Sequence, residues 1–326
     1  MNWLLIRPNA VSTPVRVELV ETLRQAHGKQ FTLHRAGSIT LLLLCLVISV
    51  SVQALQITDD RGVTIMFEQP PQRIVSLLPS LTESVCAMEQ CQRLVGVDRY
   101  SNYPASVKAL PQLGGGIDPN IEAIVALKPD VVLVSSASRA SGRLEALGLK
   151  VVALETKSHA DVKRVLHKLG GLLAVPDAQG ADRLWRIIDS SVSAASQSLS
   201  AQAKNTRVYF EVSRGPYAAG ESSFIGETLQ RLGVKNVVPA ALGPFPKLNP
   251  EFVVRANPDL IMIGNRSMQA MVPYPGWGSI KAVKDKRICV FGVIDSDVVV
   301  RPGPRMAEAA RLMAGCLEKY AAGAPR

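Results

Sequence analysis

An eleven-residue pattern occurs twice in this chain, 129 residues apart. Asn120, Glu122, Val125, Pro129 and Asp130 of NIEAIVALKPD recur as Asn249, Glu251, Val254, Pro258 and Asp259 of NPEFVVRANPD. Each copy runs into an apolar stretch, VVLV or LIMI. A capping Asn, an acid in the first turn, a Pro-Asp break and an apolar run describe a short helix, a turn and a buried strand. The period is too long for a solenoid, so the repeat implies two similar lobes. Two similar lobes facing each other make a cleft, the usual place for a small ligand.

The rest of the chain reads the same way. RIVSLL (73–78) is a short strand, and SLTESVCAM opens a helix with Ser80 or Thr82 as its cap and Glu83 in the first turn. LVGVD (94–98) is a strand, and RLEALGLKVVAL is a helix followed by a strand. From about Asp177 to Gln202 there is one long apolar-spaced helix of about 26 residues, with Leu184, Ile187, Ile188, Val192 and Ala195 on one face. A second block starts at RVYFEV (207–212). Alternating helices and strands imply an α/β fold with covered sheet faces. The expectation is two Rossmann-like α/β lobes, 55–175 and 205–326, joined by a backbone helix within 176–204, with the ligand cleft between them.

Residues 1–54 stand apart. ITLLLLCLVISVSV (39–52) follows Lys29, His34 and Arg35 and ends at Val52-Gln53-Ala54. A basic flank, a short apolar run and a small-x-small site describe a secretory signal peptide cleaved near Ala54. The run is shorter than the ~20 residues of a membrane span, the alternative reading. Cys45 follows four leucines rather than a small residue, which argues against lipidation. The polar stretch 1–30 ahead of it suggests that translation starts downstream of Met1. Export predicts a periplasmic location.

The net charge is +10, from 37 Lys and Arg against 27 Asp and Glu. It is scattered, and there is no run of five like charges such as marks a nucleic-acid tail. Aromatic residues make up 5%, too few for a base-stacking platform. Of the four His, His27 and His34 lie in the leader, which leaves only His159 and His167, so no His-built metal site is expected. Four cysteines remain after cleavage. An even count in an exported chain suggests two disulfides. Cys86 and Cys91 can bridge a helix end to its following loop, leaving Cys289 with Cys316; free buried thiols are the alternative. The chain carries no nucleophile elbow, P-loop, HExxH or dinucleotide fingerprint. An enzyme is therefore not expected.

The strings SLLPSLTE, VGVDRYSNYP, NIEAIVALKPD and RPGPR, with the leader and the bridging helix, resemble the class III periplasmic binding proteins. These are the substrate-binding components of ABC importers for cobalamin, iron-siderophores and haem. The likeness spans about residues 72–320 and is nearest to the cobalamin-binding members. It implies a monomer that takes a corrinoid (cobalamin, vitamin B12) as transported ligand and delivers it to a permease dimer. An iron-siderophore or other metal chelate is the alternative cargo. No covalently bound cofactor is implied.

The resemblance places Pro79, Ser80 and Tyr100 in the cleft from the first lobe, and Tyr217 and Phe245 from the second. Arg301, after Asp297, is expected to face an anionic group of the ligand, while Arg305 pairs locally. Glu122 and Glu251 match the two glutamates that dock on permease arginines, although helix N-terminal preference alone also accounts for them. Gly114–Gly116 and Ser135–Ser136 stand where cobalamin-binding members carry tryptophans, so the first-lobe face should be smaller and more polar. GGGIDPN lacks the tyrosine that haem-binding members often carry, which disfavours haem.

Overall fold

The computed structural model describes residues 55–264 and 274–321. The leader, the site at Ala54 and Cys45 lie outside them. A hairpin of β1 (Leu55–Thr58) and β2 (Thr64–Phe67) comes first. There follow β3 (Ile74–Ser76), α1 (Pro79–Ala87), β4 (Leu94–Val97), α2 (Ile121–Ala126), β5 (Val131–Ser135), α3 (Ser141–Ala146), β6 (Val151–Leu154) and α4 (His159–Leu173). Strands β3 to β6 form a parallel sheet in the order β4-β3-β5-β6. Helices α5 (Ala181–Gln197) and α6 (Ala201–Lys204) lead to the second sheet. Its elements are β7 (Arg207–Ser213), β8 (Tyr217–Ala218), α7 (Phe224–Arg231), β9 (Lys235–Asn236), α8 (Pro250–Ala256), β10 (Leu260–Gly264), α9 (Lys281–Lys284) and β11 (Ile288–Phe291). The order is β11-β10-β7-β8, with β9 also on β7 and only β8 antiparallel. Helices α10 (Val293–Val300) and α11 (Met306–Ala321) end the described chain.

Burial follows the two-residue period of a strand. Ile74, Val131, Leu133, Val152 and Leu154 join Val208, Phe210, Leu260 and Met262 in one apolar cluster. That cluster also takes in α4, α5 and α11, so one face of each sheet shares a core with the connecting helices. The alternate residues Val75, Val132, Val134, Val151 and Ala153 form a second cluster. Tyr209, Ile261 and Ile263 form a third with Trp277. Both sheets are thus covered on both faces, as their near-continuous apolar strands require.

The internal repeat has a structural cause. Asn120 Oδ1 accepts from Ala123 N at 3.0 Å, and Asn249 Oδ1 from Glu251 N at 3.0 Å. Lys128 (φ 46°) and Asn257 (φ 42°) then end their helices in the left-handed region, each just before the proline. Asp130 accepts from Arg73 N at 2.8 Å, while Arg73 Nη2 donates to Leu127 O at 2.6 Å. Asp259 accepts from Arg207 N at 3.1 Å, while Arg207 Nη2 donates to Ala256 O at 2.6 Å. The Pro-Asp turn therefore fastens each helix end to the start of the neighbouring strand.

Two local expectations need correction. The 26-residue helix is 17 residues long and stops at Gln197. Ser198 Oγ turns back to Ala195 O at 2.9 Å, and Ser200 caps α6 by accepting from Ala203 N. Serine side chains that bond nearby backbone compete with helix continuation. The cap of α1 is Leu78, with no side-chain bond; Ser80, Thr82 and Glu83 are buried instead.

The Cys86–Cys91 and Cys289–Cys316 disulfides are both present, at sequence separations of 5 and 27. The second ties β11 to α11. Chain-entropy reasoning gives the longer loop about 3–4 kcal/mol and the shorter about 2. Replacing Cys289 and Cys316 by serine is expected to lower stability by about 2–4 kcal/mol in urea unfolding. A loss below about 0.5 kcal/mol would contradict that role.

Candidate functional site

In parallel sheets ligands collect beyond the carboxyl ends of the strands. Here those ends carry exposed apolar side chains from both sheets. Tyr100, after β4, is 52% exposed, and Tyr217, on β8, is 39% exposed. Ile117 lies in the loop before α2, Leu242 lies in the segment after β9, and Val293 and Ile294 start α10; all four are exposed.

Two seams bracket this region. On the β6 edge, Phe224 N donates to Lys157 O at 2.6 Å and His159 N to Glu227 Oε2 at 2.5 Å. The His159 ring meets Phe224 O at 3.1 Å and Thr228 Oγ1 at 2.9 Å. On the opposite β4 edge, Asn102 Nδ2 donates to Asp297 Oδ2 at 2.7 Å. There Arg301 also pairs with Glu83 at 2.8 Å. The same two seams fall at the β8 and β11 edges of the second sheet. The two sheets are therefore fastened to each other on both sides of their strand ends.

The residues expected in the cleft divide into two groups. Tyr100, Tyr217, Phe245 and Pro79 lie at or beside the strand ends and are at least partly accessible. Phe245 leans on Phe224, with ring centroids 5.9 Å apart. Ser80 is 3% exposed and its Oγ has no hydrogen-bond partner. Asp297 and Arg301 are taken up by the β4-edge seam, with Arg301 8% exposed. Glu122 and Glu251 are both exposed in the first turns of α2 and α8. Glu251 has Arg255 at 3.8 Å.

Several features escaped the sequence. Arg99 lies over the Tyr100 ring at 5.8 Å and pairs with Asp118, while Lys247 lies over the Tyr217 ring at 5.9 Å. Each accessible tyrosine is thus capped by a cation, a favourable contact with the ring face. Arg99 is adjacent to Tyr100 in sequence, but Lys247 and Tyr217 are brought together only by a bridge between distant segments. The Gly114–Gly116 run also has a steric reason. Gly114 has φ +86°, and a Cβ there would lie 2.5 Å from Asp118 O. A Cβ on Gly115 would meet Asp118 Oδ1 at 2.7 Å.

Burial sets the electrostatics. Among the described residues, the hydroxyls of Tyr209 and Tyr274, each 3.4 Å away, are the partners of the Glu211 carboxyl on β7, and burial pushes that carboxyl up to about 7. Burial likewise raises Glu83, even beside Arg301 and Arg305, and Asp98. His159 is driven down to about 4 by burial, with the Arg231 charge adding to the effect. It is a neutral seam residue.

Among known proteins, the family model described as periplasmic binding protein matches residues 74–292. An uncharacterized ABC transporter substrate-binding lipoprotein of Bacillus subtilis is 29% identical over 263 residues, 77% of this chain and 82% of the relative. A vitamin B12-binding protein of Vibrio vulnificus is 28% identical over 273 residues, 82% of this chain and 92% of the relative. A solved periplasmic heme-binding protein from Pseudomonas aeruginosa superposes with a TM-score of 0.63 at 24% identity, covering 77% of this chain and 94% of that one. The first is named as the substrate-binding lipoprotein of a transporter, and the other two for the vitamin B12 or heme they bind. The two-sheet α/β fold and the matched region agree: this chain belongs to the periplasmic binding protein family.

Proposed function

We propose that the chain is the periplasmic receptor of an ABC importer, that it binds a corrinoid between its two sheets, and that it hands the ligand to a permease dimer. The observation that carries this reading is the pair of accessible, cation-capped tyrosines, Tyr100 and Tyr217, one from each sheet at the strand ends. The vitamin B12-binding relative supports the choice of corrinoid. A large planar or near-planar chelate offers each ring a face to cover, and each buried aromatic contact contributes about 1–3 kcal/mol. Phe245 and Pro79 complete the apolar walls.

In this reading residues 55–175 and 205–326 are the two lobes and 176–204 the connection. The protein acts as a monomer after cleavage near Ala54, and Glu122 and Glu251 dock on the permease. The glycine run 114–116 and Ser135 leave the first-lobe wall low. That favours a ligand with bulky or polar substituents on this side and keeps iron-siderophores as the second cargo class.

Calorimetry of the purified chain tests the proposal, with cyanocobalamin, ferric hydroxamate and catecholate chelates, and haem run in parallel. One-to-one submicromolar binding of cyanocobalamin is the expected result. Binding of haem or a siderophore alone would replace the corrinoid. Tyr100→Ala is expected to weaken binding by about 1–3 kcal/mol. Unchanged affinity would remove Tyr100 from the site.

A further inference from the structure

Arg301 looks from the sequence like a ligand anchor, yet both terminal nitrogens of its guanidinium already have partners within the protein. Nη1 donates to Glu83 Oε1 and to Asn102 Oδ1, both at 2.8 Å. Nη2 donates to the Tyr100 carbonyl at 2.9 Å and pairs with Asp297 Oδ2 at 3.0 Å. Asn102 Nδ2 closes the ring by donating to the same Asp297 oxygen at 2.7 Å. Arg305 stands 3.7 Å from Glu83 and lies over the Tyr103 ring at 4.2 Å. Arg301 and Arg305 thus converge on the buried Glu83, with Asp297 and Glu308 as their partners at the partly exposed margin; buried charge pairs hold geometry more than they add stability.

Tyr100 is gripped from both sides of the cleft. Its N–H donates to Asp98 Oδ2 at 3.0 Å within the first sheet's own loop. Asp98 also accepts from Ser101 Oγ, which is 2.9 Å from Thr82 Oγ1 on α1. The Tyr100 carbonyl is held by Arg301, which follows α10 at the edge of the second sheet. Backbone fixed at N–H and C=O sets the direction in which the Cα–Cβ bond of Tyr100 leaves the loop, and the Arg99 guanidinium 5.8 Å from the ring centroid lies against one face of the ring.

We infer that Arg301 is a positioning residue for ligand capture: it makes no contact with the ligand and sets the Tyr100 ring against it from the opposite lobe. This rests on the reading of Tyr100 as a ligand contact. Asp297 and Asn102 belong to the same device, holding the guanidinium in plane. The ligand's fit thereby depends on how the second lobe sits at the β4 edge. A lysine cannot reproduce the arrangement, because one ammonium cannot reach Glu83, Asn102 and the Tyr100 carbonyl with a planar fork.

The test is a mutant cycle on the purified chain, with cyanocobalamin and ferric haem as probes and amide hydrogen exchange without ligand. Arg301→Lys and Asn102→Ala are each made alone and with Tyr100→Ala; Asn102→Ala removes no charge and guards against loss of folding. Each single variant is expected to weaken probe binding about tenfold, and to change it less than twofold once Tyr100 is alanine. Exchange of amides 98–103 should quicken in Arg301→Lys while α11 keeps its protection. An equal loss of affinity with or without Tyr100 would mean that Arg301 touches the ligand and would overturn the inference. Unchanged exchange at 98–103 would overturn it whatever the probe does. If Tyr100→Ala alone leaves affinity intact, the premise fails and takes the inference with it; quickened loop exchange would then locate the fault in the reading of the site.

Discussion

Reversing Glu122 and Glu251 together to arginine is expected to cut ligand uptake by cells at least tenfold and to leave ligand affinity of the purified protein within about twofold. Both carboxylates are exposed, in the first turns of α2 and α8. Those helices run directly into β5 and β10, so their N-termini lie at the same end as the strand carboxyl ends, where the cleft opens. The 129-residue repeat places one on each lobe at equivalent positions. A two-fold partner surface can read such a pair. Exposed ion pairs are worth about 0–1 kcal/mol each, so under the proposed docking the pair would act through orientation and encounter rate more than affinity. Reversal would then change attraction to repulsion at both proposed contacts at once. The helix dipoles disfavour an N-terminal cation by about 0.3–1 kcal/mol, and Arg255 adds repulsion at position 251, so a small fall in melting temperature accompanies the change. Uptake that survives the double reversal would move docking elsewhere. Lost ligand binding would place the glutamates in the cleft.

The repeat was the most legible part of the sequence because its cause is local. Asn capping, the left-handed residue before proline and the Asp-to-strand fastening all lie within a short stretch of each copy. Strands β5, β6 and β10 were legible because each carries four consecutive apolar residues. The connecting helix was overread, since apolar spacing continues through Ser198–Ser200 while the serines divert backbone hydrogen bonds. Glu83 was misread as a first-turn acid because nothing near it in sequence shows that Arg301, 218 positions away, will bury it. For the same reason Arg301 and Asp297 resemble ligand anchors until the Asn102 loop is folded against them. Resemblance alone assigns Tyr100 and Tyr217 to the cleft; of their capping cations, Lys247 needs the fold to be seen and Arg99 is adjacent in sequence. The glycine run at 114–116 was taken as an absent wall. At Gly114 and Gly115 a Cβ would run into Asp118, so the low wall there has a steric cause that the sequence does not show.

Glu211→Gln is expected to stabilise the protein most at high pH, by about 3 kcal/mol at pH 8, and hardly at all at pH 4.5. The carboxyl is 1% exposed, and burial raises its titration from the ordinary 4.5 to about 7. Between those values the folded chain holds a proton that the unfolded chain has released. Its contribution to stability is therefore complete below pH 4.5 and is lost as pH rises through about 7. Glutamine keeps the shape, accepts from one tyrosine hydroxyl through its oxygen and donates to the other's oxygen through its amide N–H, and has no charge to bury. Raised carboxyls elsewhere, Glu83, Asp98 and Glu227, slope the same way. His159 slopes oppositely, because its folded form stays neutral down to about 4 while the unfolded form protonates near 6.5. These groups are common to both proteins and cancel in the difference. Urea unfolding of the two at pH 4.5, 6 and 8 reads that difference directly. A gap that stays constant across the three pH values would show that Glu211 titrates normally and that its tyrosine partners, or water beside them, solvate the charge in full.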